Sequence, residues 1–310
     1  MSFSLEIHAS PSRAGYSPQD AKPRMGFFTD TSVCIGCKAC EVACKEWNEV
    51  PEDGLHFSGN SYDNTGHLSA DTWRHVAFVE QRRPLGLGDG EPALAEQAQL
   101  GGVAEQPDVP VHDDGAMRWL MSSDVCKHCT HAACLDVCPT GALFRTEFGT
   151  VVVQPDVCNG CGYCVPACPF GVLSKRESDG RAFKCTLCYD RLKDGMEPAC
   201  AQACPTESIQ YGELDELHER AAARVEQLHE RGETSARLYG AGRPGGDGAE
   251  ALEGVGGTGA FFLLLDEPEV YGLPPAPLDT THHVGEAWRA AGLAAGVIAL
   301  TVAGALVGRR

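Results

Sequence analysis

The chain has 310 residues, of which 43 are Asp or Glu and 25 Lys or Arg, giving a formal net charge of −18. That balance argues against nucleic acid as a partner, because a phosphate backbone selects basic surfaces. The length allows one or two domains, and the 36 glycines, 19 prolines and 16 cysteines point to backbone bent tightly around something other than a large oily core.

Residues 1–24 read as an N-terminal arm; Met1 to Lys22 is polar and has no apolar h-region, so no secretory signal peptide is expected. Gly26 to Asp30 reads as a short strand entering a first cysteine block, Cys34, Cys37, Cys40 and Cys44, spaced C-x2-C-x2-C-x3-C, and Ala39 to Trp47 permits a short helix. Trp73 to Gln81 alternates as a strand. Residues 82–115 are rich in Gly, Ala, Pro and acidic residues without a period, and read as an insertion or long surface loop.

The second block is Cys126, Cys129, Cys134 and Cys138, and the third, Cys158, Cys161, Cys164 and Cys168, repeats the first spacing. Between them Ala142 to Arg145, Glu147 to Gly149 and Thr150 to Gln154 read as a β-hairpin. The fourth block is Cys185, Cys188, Cys200 and Cys204, closed by a strand over Ser208 to Tyr211. Glu213 to Glu230 reads as a charged helix with Leu214, Leu217, Val225 and Leu228 as its apolar stripe. Residues 232–259 form a Gly-rich linker interrupted by Ala236 to Tyr239, and Ala260 to Leu265 reads as a buried strand returning to the core.

Ala290 to Gly308 is 19 residues without a charge, long enough to cross a bilayer. Seven Ala and four Gly dilute its seven Leu, Ile and Val, and Gly292/Gly296 and Gly304/Gly308 would let another helix approach closely. Residues 280–310 are therefore expected to form a single-pass membrane anchor lying against a partner's helices; the alternative is an Ala-rich helix packed on the body. Arg309 and Arg310 lean toward a cytoplasmic C-terminus, which would put the cysteine region outside.

The cysteine spacing carries the chemistry. Zinc takes four ligands about one point, usually from two separated knuckles, whereas three thiolates within seven residues and a fourth soon after suit a bulky iron–sulfur cubane. The fourth cysteine of a block is directed toward a neighbouring cluster, and in three blocks it is followed by Pro139, Pro169 or Pro205. A disulfide framework fits small secreted chains better than this one. No cysteine is left over, so four 4Fe–4S clusters are expected, with a zinc-stabilised scaffold as the reading of another class. Spacing alone supports an exchange of ligands between the second and third blocks.

The run Phe27 to Asp30 with Cys34-Ile35-Gly36-Cys37-Lys38-Ala39-Cys40-Glu41-Val42-Ala43-Cys44-Lys45-Glu46-Trp47-Asn48 resembles the iron–sulfur beta subunits of molybdopterin oxidoreductases, above all that of formate dehydrogenase. Cys158 to Cys164 with Cys168-Pro169-Phe170-Gly171, Lys184 to Arg191, and Pro198 to Thr206 support the resemblance, which covers about residues 25–212. It implies an α+β fold of two ferredoxin-like dicluster halves with long loops, followed by a C-terminal helix. It also implies that Cys34, Cys37 and Cys40 share a cluster with Cys204; Cys185, Cys188 and Cys200 one with Cys44; Cys126, Cys129 and Cys134 one with Cys168; and Cys158, Cys161 and Cys164 one with Cys138.

The same resemblance implies an electron-transfer subunit without a catalytic site of its own, between a molybdenum- or tungsten-pterin catalytic subunit and an integral membrane subunit of cytochrome b or quinone-reactive type. The equivalent subunit of a hydrogenase or of a dimethyl sulfoxide or polysulfide reductase is the alternative. Residues 213–279 are expected to add a helix, the linker and the returning strand. Block one departs from the pattern by ending in Cys44-Lys45. Lys38, Lys127 and Lys184 each adjoin a cysteine and could tune a cluster or simply be solvated. His128 and His131 are expected to be structural or on the surface, His282 and His283 to mark a membrane interface, and Trp47 to pack against a cluster loop.

Overall fold

The computed structural model describes residues 22–54, 59, 62–84, 115–242, 252–279, 281 and 284–307. Its organising element is a four-stranded sheet in the order β8-β1-β10-β9, made of β1 (Met25–Asp30), β8 (Ile209–Glu213), β9 (Arg237–Tyr239) and β10 (Ala260–Leu264). β1 pairs antiparallel with β8, Phe28 opposite Gln210, and parallel with β10, Phe27 opposite Ala260. The sheet thus joins strands on both sides of the cysteine blocks, and the linker residues Arg237 to Tyr239 form its edge.

Side chains alternate across a strand, so the two phenylalanines of β1 serve different cores. Phe28 stacks on Phe261 at 5.3 Å and meets Leu263 and the stripe Leu214, Leu217, Ala221 and Leu228 of α6 (Leu214–Glu230). Each fully buried phenylalanine contributes about 1.5–3 kcal/mol relative to exposure. Phe27, Phe262 and Leu264 belong to the other core, together with Cys40, Cys126, Cys164, Cys185 and Cys200. One face of the sheet is therefore closed by a helix and the other by the cysteine loops.

Around those loops the elements are short. They are α1 (Ala39–Trp47), α2 (Ala133–Asp136), the hairpin of β4 (Leu143–Arg145) and β5 (Val151–Val153), and α3 (Cys164–Ala167). The small hairpin of β6 (Ser174–Lys175) and β7 (Ala182–Phe183), α4 (Tyr189–Lys193) and α5 (Ala199–Gln202) complete the set. The expected strand at Trp73 to Gln81 extends to Pro84 as β2 (Arg74–Pro84), and it pairs with β3 (Gly115–Val125) in an antiparallel ribbon. β3 was not read from the sequence. Residues 85–114 between the two strands lie outside the described residues, as do His282, His283, Arg309 and Arg310 and nearly all of the arm.

The expected membrane anchor is overturned. Among the described residues no helix is long and apolar enough to cross a membrane. α7 (Val284–Val307) carries Glu286 and Arg289 in its first turns, and beyond them Ala and Gly outnumber the Leu, Ile and Val that would make insertion favourable. Nor does the helix pack on the body, since Leu293, Val297, Ile298 and Leu300 are all exposed.

Candidate metal centre

Each cysteine loop is built from backbone that turns through the left-handed region. In the first, Gly36 (φ 64°) and Lys38 (φ 59°) reverse the backbone before Cys40 enters α1. A Cβ at Gly36 would lie 2.6 Å from Phe78 Cε1 and 2.7 Å from Met121 Sδ, so glycine is required for both conformation and space. Gly160 and Gly162 turn the third loop, His128 the second, and Leu187 with Cys188 the fourth. The short helices then present the remaining thiols: Cys44 on α1, Cys134 on α2, Cys164 at the start of α3 and Cys200 on α5.

The thiols gather into four groups that do not follow the blocks. Cys34, Cys37, Cys40 and Cys204 line one hollow of about 290 Å³. Cys44 has Cys185, Cys200 and Cys188 for electrostatic neighbours. Cys126, Cys129, Cys134 and Cys168 line a second hollow, of about 390 Å³. Cys164 has Cys158, Cys138 and Cys161 around it.

The groups also touch one another in sequence. Cys40 neighbours Cys200, Cys185 neighbours Cys126, and α2 and α3 pack together, each followed by a cysteine of the other's group. They form a line of two interior groups, at Cys44 and Cys126, and two end groups, at Cys34 and Cys158.

Burial pushes the Cys40 and Cys185 thiols up to about 12 and holds Cys44 well above the ordinary thiol range, reinforced in each case by neighbouring cysteines. To ionise as ligands, thiols crowded in this way need positive charge, which a metal core would supply. Among the described residues no three His, Cys, Asp or Glu side chains converge closely enough to grip a single ion. The Cys34 and Cys126 quartets stand around hollows instead of points, which suits a bulky cluster better than zinc.

His128 supports the same fit. It is buried, lines the hollow at Cys126, and its Nδ1 accepts from the Val151 amide at 3.1 Å. Burial, then the charges of Lys184, Arg145 and Arg24, hold it well below the usual histidine range, so the ring is neutral with its proton on Nε2. That Nε2 is buried without a protein partner, and a sulfur-rich group in the hollow would give it one.

The three lysines part company. Lys127 and Lys184 are only 1% exposed, which excludes the solvated reading for both. Lys127 pairs with Asp124 and donates to the Val125 carbonyl at 2.9 Å. Lys184 donates to the carbonyls of Val151 and Cys185; burial would lower it, but Cys126, Cys134 and Cys185 hold it above its ordinary value. Lys38 is half-buried and satisfied by Glu41 and Asp63. Trp47 donates from Nε1 to Asp190 at 2.8 Å and is covered by the Arg191 guanidinium, so it clasps the loop after Cys188.

Arg74 was missed. It is 2% exposed, begins β2, and lies among Cys40, Cys44, Cys185 and Cys200. The signal for it is parity: Arg74 shares a strand face with the buried Val76, whereas an arginine is ordinarily read as exposed.

Two family models, both described as 4Fe-4S dicluster domain, match residues 117–214 and 33–142. The chain is 37% identical over 268 residues to the iron-sulfur subunit of the nitrate-inducible formate dehydrogenase of Escherichia coli (strain K12), covering 85% of this chain and 77% of that one. It is 36% identical to the formate dehydrogenase iron-sulfur subunit of Haemophilus influenzae, with 84% and 71% covered. A component of the anaerobic dimethyl sulfoxide reductase of Escherichia coli (strain K12) is 34% identical over 195 residues, 63% of this chain and 76% of that one.

Proposed function

This chain is a member of the family of formate dehydrogenase iron–sulfur subunits, an electron-transfer family carrying four 4Fe–4S clusters, and we propose that it relays electrons from a molybdenum- or tungsten-pterin subunit that oxidises formate. The receiving partner is an integral membrane subunit of cytochrome b or quinone-reactive type. The four clusters supply one-electron carriers when bound. The observation that carries formate over the alternatives is the extent of the likeness. It runs through 85% of the chain for the formate dehydrogenase subunit but 63% for the dimethyl sulfoxide reductase component.

We assign the ligands by the four spatial groups: Cys34, Cys37, Cys40 and Cys204; Cys44, Cys185, Cys188 and Cys200; Cys126, Cys129, Cys134 and Cys168; and Cys138, Cys158, Cys161 and Cys164. Residues 25–212 hold the clusters, and the segment that follows supplies α6 to close the far face of the sheet together with the strands β9 and β10. The protein's own residues keep each thiol in place, exclude water from the interior groups and supply buried positive charge.

Purification of the native complex tests the reading. The expected result is a co-purifying pterin subunit with formate-dependent reduction, and four irons with four acid-labile sulfides for each of the four clusters. Zinc in place of iron would overturn the cluster reading, and reduction by dimethyl sulfoxide reductase partners alone would move the assignment to that branch.

A further inference from the structure

Arg74 is a fully buried cation without a carboxylate. Among the described residues no Asp or Glu forms an ion pair with it. Its Nη1 donates to the Ser123 carbonyl at 3.2 Å and to Ser123 Oγ at 3.1 Å, and that hydroxyl lies 3.2 Å from Cys40 Sγ. The guanidinium sits 4.8 Å from the Phe27 ring centroid. Nε and Nη2 are buried and have no partner in the protein.

An unpaired ion in the interior is costly, and a buried donor left without an acceptor adds to that cost. The electrostatic neighbours of Arg74 are cysteines of two different groups: Cys40 at the end of the line, and Cys44, Cys185 and Cys200 next to it. A fixed positive charge between two electron carriers favours the reduced, more negative state of both.

We propose that Arg74 is the shared counter-ion of these two neighbouring centres, with its two unpartnered nitrogens reserved for their sulfur, and that it raises the reduction potential of both together. The inference rests on the cluster reading of the cysteine groups. Arg74 acts through charge and hydrogen bonds, as a positioning and tuning residue.

The test is a potentiometric titration of the purified complex followed by paramagnetic resonance, with iron and sulfide counted on every sample. Arg74→Gln is expected to retain iron and to lower two of the four midpoints. At fixed potential the ratio of reduced to oxidised centre should fall at least tenfold for those two, equivalent to 59 mV for a one-electron couple. The other two midpoints should stay in place. Arg74→Lys, which keeps the charge but not the fork, should recover most of the shift.

Ser123→Ala removes the hydroxyl contact and leaves the charge, so it should move the midpoints much less than Arg74→Gln. Full iron with four unmoved midpoints, an equal shift of all four, or Ser123→Ala reproducing the Arg74→Gln shift would overturn the proposal and leave Arg74 a structural pin. If Arg74→Gln fails to assemble, Arg74→Lys decides: midpoints near those of the unmodified protein support the shared charge, and midpoints that fall despite retained charge refute it. Absence of iron from the unmodified protein would overturn the cluster reading itself.

Discussion

The two interior cysteine groups and the two end groups are made of the same residue type but live in different media. Cys44, Cys185, Cys188, Cys200 and Cys126 are buried, and Arg74, Lys127 and Lys184 stand beside them with almost no exposure. In the end groups Cys37 and Cys161 reach solvent, next to exposed Ile35 (58%) and Tyr163 (62%). Electrostatic interactions strengthen as water is excluded. The interior centres are therefore governed by the protein's own fixed charges, and the end centres, apart from the Arg74 charge beside Cys40, by whatever covers them in the assembled complex.

Paired substitutions sharpen that contrast. Cys200→Ser should have the largest effect: loss of one cluster's iron and a destabilisation of about 3–5 kcal/mol, as when one partner of a buried charge pair is removed. Cys37→Ser, at an exposed site, should lose its own cluster with a clearly smaller fall in the thermal midpoint. Iron counting with calorimetry on both variants measures the difference, and equal losses would erase the distinction between interior and end.

Lys184→Met comes next. It leaves the Val151 and Cys185 carbonyls without their donor, and should cost about 1–3 kcal/mol by denaturant titration. Lys38→Ala should be smallest, within about 0.5 kcal/mol, because its ion pairs with Glu41 and Asp63 are partly solvated.

The parts of the molecule that were legible in advance are those whose chemistry is local. Cluster spacing is written into a few consecutive residues, and β1, α1, the β4–β5 hairpin, α6 and β10 each carry their own periodicity or turn residues. β3 was not legible because GAMRWLMSSDV has no clean alternation, and its pairing with β2 spans residues 85–114. β9 is only three residues long and is a strand because β10 offers it an edge.

The sequence leaves Lys127 and Lys184 between tuning and solvation because burial depends on neighbours far along the chain. Lys184, for example, donates to a carbonyl 33 residues away. The membrane-anchor expectation fails for a different reason: Ala290 to Gly308 lacks charge, but its Ala and Gly content leaves it too weakly apolar.

The central position of β1 has a consequence for the birth of the protein. Asp30 at its end accepts from Ser208, 178 residues further on, and Thr31 just beyond it donates to Leu263, 232 residues further on. At about 5–20 residues per second, ribosomal synthesis leaves this strand without its first sheet partner for roughly 10–35 s. Through that interval Phe27 and Phe28 are uncovered and the edge is open to pairing with other polypeptides. The first block's thiols wait as long for Cys204, so a nascent polypeptide must be kept reduced and shielded until its C-terminal half has emerged.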